Sequence, residues 1–128
     1  MDLAKAPVSA IRRVSELNTE DLKKAFGIKT VEDLATNKYV KLSQGINYFS
    51  ACSEKILDKE FESEEYEKLA EKPVYAISGV SNSDAVLLKK AFGIDTIREL
   101  AENKYVTIAQ ATTSLVSLVQ VLKIAGRL

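Results

Sequence analysis

Six cationic side chains stand in pairs along this chain: Arg12 and Arg13, Lys23 and Lys24, Lys89 and Lys90. Paired Lys and Arg beside a turn are suited to contact phosphate, so they form a candidate phosphate-contacting strip. A structural role competes with it, because Lys-Lys near a helix C-terminus complements the macrodipole and keeps the outer face soluble. The acidic run from Asp58 to Glu71 is the other dense cluster of titratable groups. It has no neighbouring base of another type and no metal-ligand spacing. Cys52 falls on an apolar helical stripe, where a thiol acts as a small inert hydrophobe. The chain has no His and a single Cys, which removes Ser-His-Asp and Cys-His nucleophile systems, thiolate-histidine zinc sites and disulfide frameworks. A non-enzymatic protein is expected, with no cofactor, metal or small-molecule substrate.

The 128 residues carry 18 basic and 18 acidic side chains and so have no net charge. That balance argues against an indiscriminate polyanion binder. The neutrality is nevertheless a sum of unlike parts, with residues 1–57 at +2, residues 58–72 at −4 and residues 73–128 at +2. A local basic face is compatible with it. Met1 to Ala10 lacks the apolar segment of a signal peptide, so the expected location is the cytoplasm. Tyr105 to Leu122 carries no charge. It holds Thr107, Gln110, Thr112, Thr113, Ser114, Ser117 and Gln120, a polar load too high for a lipid-facing span, and a helix buried in protein is expected.

The elements that must position these groups come in two sets. Laid over one another with Pro7 on Pro73, the segments Pro7–Gln44 and Pro73–Gln110 match without a gap and with 21 identities in 38 positions. The run Leu22 to Ile28 returns as Leu88 to Ile94, and Asn37 to Val40 as Asn103 to Val106. Two copies are too few for a solenoid. Two small modules, or one pseudo-twofold domain, fit better. Each copy opens with a short apolar element after Pro7 or Pro73. A helix follows, capped near Ser15 or Ser81 and stopped by Gly27 or Gly93. Thr30 and Thr96 open a third element, with a full capping-box partner in Glu99 and a weaker one in Asp33. Asn37 and Asn103 suit its end, and the longest helix of each copy is expected from near Lys41 or Thr107. Phe26, Phe92, Tyr39 and Tyr105 are expected in the core. The acidic segment 58–72 reads as a helical connector.

The two long helices differ. Leu42, Ile46, Phe49, Cys52 and Ile56 make one apolar stripe, as on a surface helix. Leu115, Val116, Leu118, Val119, Val121, Leu122 and Ile124 surround most of the other. A helix of that kind needs cover on more than one side, from the other copy or from a second chain.

The stretch Ile77-Ser78-Gly79-Val80-Ser81-Asn82-Ser83-Asp84 through Leu88-Lys89-Lys90-Ala91-Phe92-Gly93-Ile94, followed by Thr96 and Glu99-Leu100, resembles the helix-hairpin-helix family. The resemblance extends to the matching stretch of the first copy, and the two together with the long helices make up most of the chain. It implies a compact module of four or five helices, two of which pack together. In DNA-binding members, hairpin glycines bring backbone N–H groups to a phosphate at a helix N-terminus, a role that would fall here on Gly79, Val80 and Ser81. Copy two has Ser81 in place of the second glycine, and copy one has Arg13-Val14-Ser15 with neither. In families that this sequence resembles, hairpins of this degenerate kind serve dimerisation or protein docking.

An all-α chain of two such modules is therefore expected, 1–57 and 73–128 joined by 58–72. Its expected function is docking a protein partner or self-association, with Leu115, Leu118, Val119 and Leu122 as the self-association surface. The alternative is sequence-independent DNA or RNA backbone binding through the hairpins.

Overall fold

A computed structural model describes residues 2–56 and 68–127, with side chains to residue 50 in the first stretch. Most of the 58–72 connector and the side chains of Cys52 and Ile56 lie outside the described residues. The protein is all-α, with no strand among those residues. The described helices, in order, are α1 (Glu16–Phe26), α2 (Val31–Thr36), α3 (Lys38–Ile56), α4 (Asn82–Phe92), α5 (Ile97–Glu102) and α6 (Lys104–Ile124). Short 3-10 turns at Leu3–Lys5 and Val8–Ala10 precede α1, and one at Val74–Ala76 precedes α4.

Local chemistry sets these boundaries. Ser15 and Ser81 accept the amides of Asn18 and Asp84, which ties down the open N-termini of α1 and α4. Gly27 and Gly93 close the same helices at φ 71°, a left-handed cap that glycine takes without a Cβ penalty. Thr30–Asp33 and Thr96–Glu99 both form complete reciprocal capping boxes. The copy-one box is thus fuller than its shorter Asp33 side chain suggests. Asn37 and Asn103 end one helix and begin the next: Asn103 Oδ1 accepts from Tyr105 and Val106, and Asn37 Oδ1 from Tyr39 and Val40. The long helices therefore start at Lys38 and Lys104, ahead of the expected Lys41 and Thr107, because one side chain replaces a whole turn of linker.

The packing crosses between the two sets. α1 lies against α4, α2 against α6, and α3 against α5. Exchanging the sets leaves this pattern unchanged, as in an isologous pairing. Gln44 and Gln110, 66 positions apart, exchange amide hydrogen bonds at 2.9 Å in both directions, and Gln110 also donates to the Ala35 carbonyl. A single core joins Val8, Leu22, Ile28, Leu34 and Val40 to Val74, Leu88, Ile94, Leu100 and Val106. Phe26 and Tyr39 pack on its edge with ring centroids 4.7 Å apart, and Phe92 and Tyr105 do so at 4.8 Å.

Because each glutamine satisfies the other, removing one strands a part-buried amide. Gln44→Ala and Gln110→Ala should each cost about 1–2 kcal/mol, and the double variant little more than either single one. Urea unfolding of the three variants measures this, and additive costs would show that the amides do not depend on each other. Ser43 is fully buried and its hydroxyl has no hydrogen-bond partner among the described residues, while Ala109 fills the matching place in the second copy. Ser43→Ala should therefore raise stability by about 1 kcal/mol, which a thermal melt would detect.

Candidate interaction surface

α6 begins as a core helix and ends as a surface one. Val106 and Ala109 are fully buried, Gln110 bonds across to Gln44, and the Thr113 hydroxyl is out of solvent. These residues lie on the side that meets α2. Yet α2 has only six residues, about 9 Å of helix, whereas the 21-residue α6 runs about 32 Å. The turn Leu3–Lys5 extends the cover a little further. Beyond it Leu115 is 61% exposed, Leu118 52%, Val121 60% and Ile124 88%. Val119 is exposed and Leu122 half-buried. The expectation of a helix buried in protein, or held between the copies, is corrected: its C-terminal half outruns the α2 helix that covers its start. Leu3 is exposed as well and, with Asp2, Leu115, Val116 and Val119, lines a groove of about 480 Å³ along the helix.

One side of α6 follows a rule. Ile108, Ala111, Leu115, Leu118, Leu122 and Ala125 alternate at spacings of three and four, the register of a coiled-coil seam. At about 100° per residue, this seam lies on the side of α6 opposite Val106, Ala109, Gln110 and Thr113. The helix thus has two apolar sides, and the fold covers one. By length and composition α6 is also apolar enough to cross a membrane. Its first two turns are built into the core, however, and residues 111–124 alone reach about 21 Å, short of a hydrocarbon layer of roughly 30 Å.

Of the hairpin residues, Gly79 and Ser81 are exposed but already employed, and Val80 is buried in the core. Gly79 has φ 95°, and its carbonyl accepts a hydrogen bond from the Tyr39 hydroxyl at 3.4 Å. A Cβ built on Gly79 would stand 2.6 Å from that hydroxyl oxygen. The glycine admits the other copy's tyrosine. The Val80 amide donates to the Ile77 carbonyl, and the Ser81 amide to the Asp84 carboxylate at 3.1 Å. A carboxylate therefore occupies the position at the start of α4 that an anion would need. In copy one, Arg13 takes the matching place with φ 76°, an uncommon conformation for a residue with a side chain.

The cations are distributed unevenly. Lys89 pairs with Asp95 at 2.5 Å; its hydrogen bond to that carboxylate, then the carboxylate's charge, raise the Lys89 pKa above the ordinary lysine value. Lys90 lies 3.9 Å from Asp21, a buried carboxylate on α1. Arg12, Arg13, Lys23 and Lys24 are exposed and make no ion pair among the described residues. Lys38 and Lys104 lie over the rings of Tyr39 and Tyr105, about 5 Å from the centroids, which covers ring faces that a base would need for stacking. Among the described residues no group of His, Cys, Asp and Glu side chains is placed to hold a metal ion. Sequence reasoning missed Ile108 and Leu3 as surface residues. The three-four spacing through Ile108 was the available signal, whereas nothing local marks Leu3.

No protein-family model, curated protein or solved structure matches this chain.

Gly79→Ala should destabilise the fold by roughly 1–3 kcal/mol, because both the positive φ and Tyr39 oppose a Cβ. Removing the hydroxyl by Tyr39→Phe in the same chain should recover part of that loss. A double-mutant cycle in urea reads the coupling, and no recovery would mean that the strain is backbone alone.

Proposed function

We propose that this chain is a non-enzymatic interaction module, built from two duplicated, degenerate helix-hairpin-helix units, that docks protein through the outer side of α6. The observation that carries this reading is the unburied run of Ile108, Leu115, Leu118 and Val119 on a helix whose opposite side is packed over its first turns. Contiguous exposed aliphatic surface of this kind is costly to hydrate and marks contact sites. The match of Pro7–Gln44 to Pro73–Gln110 and the paired caps support the duplicated units. The hairpins support docking over phosphate binding, since Tyr39 fills the space beside Gly79 and Asp84 holds the Ser81 amide.

A second reading rests on Arg12, Arg13, Lys23 and Lys24, which are exposed and make no ion pair among the described residues. Under it the protein binds nucleic-acid backbone, with affinity falling steeply as salt rises. One experiment separates the two. A photo-crosslinking amino acid is placed singly at Leu118, Lys24 or Ser81 in cells. The docking reading expects a protein adduct from position 118 and none from the other two. Nucleic-acid adducts at 24 or 81, with none of protein at 118, would reverse the order of the readings.

A further inference from the structure

Resting on that docking reading, we propose that the partner on α6 is a second copy of this chain, and that the two α6 helices pair antiparallel along the Ile108–Ala125 seam. The seam complements itself in one orientation only. With its midpoint between Leu115 and Leu118, an antiparallel pair sets Ile108 against Ala125 of the other copy, Ala111 against Leu122 and Leu115 against Leu118. Each small residue then meets a large one, as dense packing requires. A parallel pair would instead place Ala111 on Ala111 and Ala125 on Ala125, leaving voids at two levels. Antiparallel helices also oppose their dipoles favourably.

The geometry permits the approach. The Val106, Ala109 and Gln110 side of each α6 packs on its own globular part, and the seam lies on the other side of the helix. The surface area fits a weak dimer. The exposed fractions of Ile108, Leu115, Leu118, Val119 and Val121, which lie on the seam or flank it, are equivalent to about two and a half whole aliphatic residues. With Ala111, Leu122 and Ala125 that is on the order of 400 Å² of apolar surface per copy and about 800 Å² for a pair, the low end of the range, where transient associations fall. The interface is therefore of the size of a weak, concentration-dependent dimer. Residues 105–122 carry no charge, so salt should affect it little.

Sedimentation equilibrium on the full chain tests the pairing. Twice the chain mass is expected at tens of micromolar, unchanged between low and high salt. Leu115→Glu with Leu118→Glu should return one chain mass with unaltered helical circular dichroism, and the milder Leu118→Gln should weaken association at least tenfold should the double variant misfold. Orientation is read by oxidation in a Cys52→Ser background. Ala111→Cys with Leu122→Cys should form a disulfide-linked dimer, whereas Ala111→Cys alone should not, since antiparallel copies hold those positions about 16 Å apart along the axis. A monomer at these concentrations overturns the proposal, as does a dimer insensitive to the α6 substitutions or one cross-linked by Ala111→Cys alone. A monomer that still yields an adduct with a different protein from position 118 in cells would leave the docking reading standing and remove only the second copy as partner.

Discussion

Neither half of this protein has the residues to bury its own helices, and the structure depends on each half using the other. A unit the size of one half hides too small a fraction of its surface to be more than marginally stable. Here α2 is covered by α6 and α5 by α3, so the long helix of each half serves as the lid of the other. The Gln44–Gln110 pair sits where those exchanges meet, and each amide completes the hydrogen bonding of its counterpart. The same exchange fixes α6. Its first two turns are committed to α2, and α2 is too short to cover the rest.

The matching positions of the two halves show what the exchange tolerates. Where α1 lies against α4, copy one has a buried Asp21 and copy two has Leu87. Lys90 reaches toward that carboxylate from α4. Along α3, Ser43 and Ser50 are buried and Arg98 donates to Ser50 at 3.4 Å. The corresponding places on α6 are Ala109 and Val116. Copy one's long helix thus meets α5 through a polar seam, completed by the Arg98–Glu71 pair at 2.5 Å and by Asn47 donating to Glu102 at 3.3 Å. Copy two's meets α2 with Ala109 and Val116 at those places, and with Gln110 donating to the Ala35 carbonyl. Polar seams tie two helices in one register but give up apolar burial. The apolar character that copy one gathers into one stripe is in copy two spread around the helix, and part of it faces outward.

Much of the local structure was legible in the sequence, and little of the tertiary exchange was. The all-α class, the Gly27 and Gly93 stops and the serine and threonine caps follow from residues a few positions apart, because they answer backbone groups that need a partner within one turn. Asn37 and Asn103 show the limit of that logic. Each reads as an end, and each is also a beginning, because one side chain serves both helices. The Tyr39–Gly79 contact spans 40 positions and leaves no periodic trace. Gly79 reads as a residue kept for a phosphate, since a glycine in a hairpin states only that a Cβ is unwelcome, not what excludes it. The exposure of α6 is hidden for a similar reason. Apolar residues around a helix demand cover, but the demand does not say whether the cover lies within the chain.

A phosphate site needs free amides, space for an oxygen and a favourable local field together. In copy two the amide is held by Asp84, the space by Tyr39 and the nearest pair of cations by Asp95 and Asp21. All three are taken up by contacts within the fold. Copy one keeps its cations exposed, but its hairpin carries Arg13 where backbone would need to approach. The outer side of α6 is different in kind, because Ile108, Leu115 and Leu118 stand 44–61% exposed on it. A side chain that keeps much of its apolar surface in water carries a hydration cost that its own fold does not remove.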